Sequence, residues 1–159
     1  MFKKIKNTAY PPQERPILVW DGNCGFCKYW VTRWRGLTKE KVVYKTFQEA
    51  AQYFPDIPLK EFKKASRFID TDGRIYSGPD SAYKSYSAGN MSPYLHKWYQ
   101  QNGVFAKISD TGYNYITKNR PLVFKCTQLL FGKDPTDPKP YWLMYIISTI
   151  LIVFYLSRL

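Results

Sequence analysis

Cysteine is scarce, with three in 159 residues, which excludes the disulfide framework of a small stapled extracellular domain. Acidic residues number 12 against 24 basic ones, leaving a net charge of +12 at pH 7. That balance suits an acidic partner, nucleic acid or an anionic lipid surface, yet no nucleic-acid-binding module accompanies it. The cations are scattered, as in Lys39-Glu40-Lys41 and Lys60-Glu61-Phe62-Lys63-Lys64, in the manner of solvated faces, so nucleic acid is not expected as a partner. No apolar stretch follows the basic start before Pro11-Pro12, so no secretory signal is visible. No internal repeat occurs, and the length suggests a single domain able to bury a core without staples. Histidine occurs once, at His96. A zinc set of Cys24, Cys27, Cys126 and His96 would have suitable ligand types but lacks the second close pair usual in structural sites.

What the chain does have is Asp21-Gly22-Asn23-Cys24-Gly25-Phe26-Cys27, placed between the apolar run Ile17-Leu18-Val19-Trp20 and a helical pattern. Two cysteines separated by two residues can share the first turn of a helix and close a disulfide. The first sulfur then lies among unpaired backbone N–H groups at the positive end of the helix, which favours the attacking thiolate. Cys24, beginning the helix and expected to be the more exposed, is the candidate nucleophile, and Cys27 one turn deeper would resolve the mixed disulfide. Asp21 could accept the proton of Cys27 or fix the turn by bonding nearby N–H groups. Gly22 would supply either a positive φ or close packing. Gly25 and Phe26 lie between the sulfurs, where they tune the couple, and Phe26 offers substrate an apolar contact.

Around this motif the periodicity predicts a strand over 17–20, a helix over 24–35 ending near Gly36, and a second strand over 41–47. A polar helical segment over 48–53 and a short helix over 59–64 follow. The runs Arg67-Phe68-Ile69-Asp70 and Arg74-Ile75-Tyr76-Ser77 flank Thr71-Asp72-Gly73, the strongest hairpin signal in the chain. Helices are expected over 81–87, 91–101, 104–118 and 122–131. Three prolines and alternating charges make 132–140 a stiff connector. From Tyr141 to Leu159 the chain is apolar around its whole circumference, without a charge until Arg158, and reads as a C-terminal transmembrane anchor. Tyr141, Trp142 and Tyr145 at one end and Tyr155 and Arg158 at the other would mark the interfaces. Lys133 and Lys139 before the span, against Arg158 after it, place the preceding domain on the cytoplasmic side of a cell membrane. The expected organisation is an extension over 1–16, a domain over 17–131, the connector over 132–140 and the anchor over 141–159.

The Asp-x-x-Cys-x-x-Cys start and the order strand, helix, strand, helix, hairpin, helix resemble the DCC family of thiol-disulfide oxidoreductases. The similarity runs roughly from Ile17 to Arg120 and includes the hairpin Phe68 to Gly78, Asp80-Ser81-Ala82, and a closing helix ending in Asn119-Arg120. The C-terminal anchor is not part of the family pattern. The resemblance implies an α/β fold: a thioredoxin-like small mixed sheet with flanking helices, here followed by the C-terminal transmembrane helix. Thioredoxin relatives place a cis-proline facing the dithiol, just before the hairpin's first strand, where the backbone pairs with substrate. This chain has Ala65-Ser66 there, which makes Ser66 a candidate substrate contact and leaves the dithiol more open to metal.

The resulting expectation is a membrane-anchored oxidoreductase. It would exchange electrons with a protein or small-molecule thiol or disulfide through Cys24 and Cys27, assisted by Asp21, with Gly25, Phe26 and Ser66 against substrate. No cofactor and no bound metal enter it. The alternatives are a metal-binding module using the same thiolates without turnover, and an adaptor whose fold only docks a membrane partner. Cys126 reads as a packed thiol.

Overall fold

The computed structural model describes residues 2–158, so Met1 and Leu159, the outer ends of the expected extension and anchor, lie outside the described residues. Strand β1 (Ile17–Trp20) runs through the middle of a four-stranded mixed sheet. Helix α1 (Gly25–Thr38) carries the chain over to β2 (Val43–Thr46), which pairs parallel to β1 with Ile17 opposite Val43. On the other side of β1 lie β3 (Arg67–Ile69) and β4 (Ile75–Ser77), each antiparallel to its neighbour, so the strand order is β2-β1-β3-β4. The small mixed sheet with flanking helices is therefore the one expected. The expected hairpin forms as β3–β4, and Gly73 turns it at a φ of 82°, a conformation side chains resist.

Strand alternation divides the core between the two sheet faces. Val19, Ile69 and Ile75 join Phe47, Ala50, Phe54, Ile57 and Phe62 from α2 (Phe47–Ala50), α3 (Leu59–Lys64) and the segment between them. Leu18, Trp20, Tyr44 and Phe68 face the other way, onto Val31 and Trp34 of α1 and Ala88 of α4 (Pro79–Ala88). Cys27 packs at the edge of this second cluster, so the dithiol is built into the core side of α1.

The helical part continues with α5 (Pro93–Gln101), α6 (Gly103–Lys118) and α7 (Arg120–Phe131). Asn102 caps α6 by accepting from Val104 and Phe105 N–H, both at 3.0 Å. Asn119 separates α6 from α7, and α7 returns across α1, setting Phe124 edge-on to Tyr29 with ring centroids 6.3 Å apart. The N-terminal segment lies along β4: Ile75 N–H donates to the Lys6 carbonyl at 2.7 Å and Thr8 N–H to the Gly73 carbonyl at 2.9 Å.

The transmembrane helix expected over 141–159 does not form as such. Helix α8 runs from Tyr141 to Leu156, 16 residues or about 24 Å, against a hydrocarbon core of about 30 Å. Among the described residues no helix is long and apolar enough to cross a membrane. Pro140 opens the helix and the turn at Ser157 closes it, and an apolar run counted along the sequence does not register those ends. The single-pass placement, the cytoplasm-facing orientation and the membrane as a partner through 141–159 lose their basis together.

Candidate active site

The dithiol is set by a turn that one carboxylate organises. Asp21 Oδ1 accepts from Asn23 N–H at 3.2 Å and from the Gln48 side-chain amide at 3.3 Å. The Asp21 carbonyl accepts from Cys24 N–H at 3.1 Å, closing the turn. Gly22 N–H donates to Gln48 Oε1 at 3.2 Å, and a Cβ on Gly22 would stand 2.7 Å from Thr46 Cγ2. Of the two uses open to Gly22 it is close packing against β2 that applies, since its φ is not positive.

Cys24 is the N-cap of α1, with extended backbone at φ −98° and ψ 110°, and its Sγ accepts from Cys27 N–H at 3.1 Å. Here the sulfur takes the part usually played by a capping oxygen, satisfying one of the orphan donors of the first turn. The Cα atoms of Cys24 and Cys27 are 5.2 Å apart and the pair is joined as a disulfide. In the reduced form the same N–H would favour a thiolate on Cys24. Cys24 is only 7 % exposed whereas Cys27 is half-buried, the reverse of the expected order. The cause is α7, which lays Pro121 and Phe124 beside the helix start.

Two spaces meet the pair. An open groove of about 430 Å³ borders Cys24 and is walled by Gly25, Phe26, Lys118, Arg120 and Phe124. Behind the pair, a cavity of about 40 Å³ is lined by Asp21, Cys27, Trp20, Ser66, Tyr113 and Arg120. Gly25 and Phe26 thus line the groove beside Cys24, and Asp21 shares the inner cavity with Cys27. Ser66 is also brought to the inner side. Its N–H donates to the Tyr113 hydroxyl at 3.0 Å, its carbonyl accepts from Gly78 N–H at 3.0 Å, and its hydroxyl is 2.7 Å from that of Ser81. Both backbone groups of Ser66 are therefore already engaged.

Arg120 completes the site from 99 residues away, donating to Asp21 Oδ2 at 2.7 Å and to the Lys63 carbonyl at 3.3 Å. Tyr113, Gln48 and Lys118 are the other site residues that the sequence did not single out. The Asn119-Arg120 ending of the closing helix was the one signal pointing there.

The remaining sequence candidates lie elsewhere. His96 sets Nδ1 2.7 Å from Asp80 Oδ1 and its ring edge-on to Tyr76. Cys126 is exposed on α7 rather than packed. The zinc set of Cys24, Cys27, Cys126 and His96 is not assembled, and among the described residues no three His, Cys, Asp or Glu side chains come together as a metal site.

The model of the DCC1-like thiol-disulfide oxidoreductase family matches residues 18–126, more than half of the chain, and the match takes in the dithiol, Asp21 and Arg120. No significant match is found among curated proteins or solved structures. The chain belongs to the DCC1-like thiol-disulfide oxidoreductase family.

Proposed function

We propose that this member of the DCC1-like thiol-disulfide oxidoreductase family exchanges electrons with a thiol or disulfide partner through the Cys24–Cys27 couple, Cys24 being the nucleophile. The observation that carries this reading is the N-cap position of Cys24, whose sulfur accepts a backbone N–H while bordering the open groove. In the reducing direction the Cys24 thiolate attacks one sulfur of the substrate disulfide, forming a mixed disulfide and releasing the first substrate thiolate. Cys27 then attacks Cys24 Sγ, the second substrate thiolate leaves, and the Cys24–Cys27 bond closes with two electrons transferred. Asp21 lines the cavity that Cys27 borders, which supports a role for its carboxylate in taking the Cys27 proton in that second step. Arg120 acts through Asp21 as a positioning residue, holding the carboxylate between the turn and α7. Gly25 and Phe26 form the near wall of the substrate groove. Ser66 contacts substrate backbone only if the Tyr113 hydroxyl gives up the Ser66 N–H.

The test is trapping. The reduced full-length chain is mixed with a chromogenic aromatic disulfide, and adducts are located by mass spectrometry. Cys27→Ser should accumulate a mixed disulfide on Cys24, and Cys24→Ser should release no more chromophore than an exposed thiol such as Cys126 does. Equal trapping on Cys27 in the Cys24→Ser chain would reverse the assignment.

A further inference from the structure

Resting on the reading of Cys24–Cys27 as a working couple, we infer that the groove beside Cys24 admits a small thiol bearing a carboxylate, and that Lys118 selects for that charge. Two cations line the groove. Arg120 is committed, bonded to Asp21 Oδ2 at 2.7 Å and to the Lys63 carbonyl. Lys118, exposed at the end of α6, makes no ion pair or side-chain hydrogen bond among the described residues, which leaves its ammonium for a ligand. Phe26, Pro121 and Phe124 line the same groove and give it apolar surface suited to the methylene groups between a sulfur and a carboxylate.

Two further observations favour a small partner over a polypeptide. The groove, at about 430 Å³, is of the size that holds small molecules. An extended polypeptide beside a dithiol is ordinarily held by backbone hydrogen bonds. The backbone of Ser66, on the inner side of the pair at the position the sequence offered for such a contact, has its N–H on Tyr113 and its carbonyl engaged by Gly78. A small thiol needs neither.

In the step this implies, the incoming thiolate attacks Cys24 Sγ, the Cys24–Cys27 bond breaks, and Cys27 leaves with the electron pair and takes a proton. A second thiolate attacks the adduct sulfur and frees Cys24. The sum is two thiols and the protein disulfide giving one small disulfide and the protein dithiol.

The test measures the second-order rate of reduction of the oxidised full-length chain by 3-mercaptopropionate, 2-mercaptoethanol and cysteamine. Each rate is divided by that of the same thiol on a small neutral reference disulfide, which removes differences in intrinsic nucleophilicity. The normalised order should be anionic over neutral over cationic. Lys118→Gln should lower the anionic preference roughly two- to five-fold, as loss of one exposed charge pair implies. Lys118→Glu should invert it, and Lys97→Gln, on α5 away from the groove, should leave it unchanged. Equal normalised rates, or a preference that Lys118→Glu does not alter, would overturn the inference while leaving the couple intact. A native disulfide that none of the three thiols opens would overturn the underlying reading as well.

Discussion

Replacing Asp21 by Asn separates the two tasks assigned to that carboxylate. The amide keeps an oxygen for Asn23 N–H and the Gln48 amide, so the turn persists, but the nitrogen that replaces Oδ2 cannot accept from Arg120. The Asp21 and Arg120 side chains are 19 % and 25 % exposed, so the freed guanidinium is partly rehydrated. The loss should fall between that of a surface pair and a buried charged hydrogen bond, about 1–2 kcal/mol. Asp21→Ala also removes the two turn bonds, which are long, and should cost about 2–3 kcal/mol in all. Denaturant unfolding of the oxidised chain reads both values. The chemical task is read separately, by single-turnover release of the second thiolate from a mixed disulfide. There Asp21→Asn should be slower by about 10²-fold, the lower range for loss of a positioned proton acceptor. A normal rate of resolution in Asp21→Asn, with the stability loss present, would refute the proton role and leave Asp21 as a turn residue only.

Gly22→Ala should destabilise by about 1–3 kcal/mol, measured by thermal unfolding, because the new Cβ meets the Thr46 side chain of β2, Cγ2 at 2.7 Å and Cβ at 3.1 Å, and the Thr46 hydroxyl is tied to Glu49 at 2.9 Å. Arg67→Met should cost about 3–5 kcal/mol in chemical denaturation. Arg67 is fully buried, donating to the Lys3 carbonyl at 2.7 Å, to Ser77 Oγ and to Glu61, and its loss leaves the Glu61 carboxylate buried with less compensation. Stability should fall on acidification below the usual carboxylate range. Burial alone would push the Glu61 carboxyl up, but the Lys64 ammonium, the Lys3 N–H and the Arg67 charge together hold it below its ordinary value. A group lowered in the folded state contributes stability above its unfolded value and loses it as pH falls through the folded one. Carboxyl titration of Glu61 by NMR, followed beside the melting temperature, checks both the direction and the link.

The local parts of the fold were legible where residues close in sequence decide the geometry. Asp72-Gly73 announced the β3–β4 hairpin because Gly73 must take a positive φ, and Cys24 announced a helix start because α1 begins at the next residue. The helix end placed near Gly36 was early: α1 continues to Thr38, and Lys39, at φ 51°, takes the left-handed position expected of the glycine. Contacts made by distant residues had no local signal. Arg120 reaching Asp21, Tyr113 holding Ser66 N–H, and Phe2 buried against Gly78 and Tyr113 all depend on how the helices and the N-terminal segment close over the sheet. The exposure of the two cysteines was misjudged for the same reason, since Phe124 comes from α7. The membrane span failed differently: hydropathy counts apolar residues, whereas crossing depends on helical length, which Pro140 and Ser157 limit.

The most direct test of the redox reading is a titration of the full-length chain across thiol/disulfide buffers, with chelator present and alkylation of Cys24 and Cys27 counted by mass spectrometry. A single reversible two-electron transition is predicted, in which Cys24 and Cys27 change together and exposed Cys126 remains outside the couple. Cysteines that alkylate independently, or a pair that cannot be cycled between dithiol and disulfide in the folded chain, would contradict it.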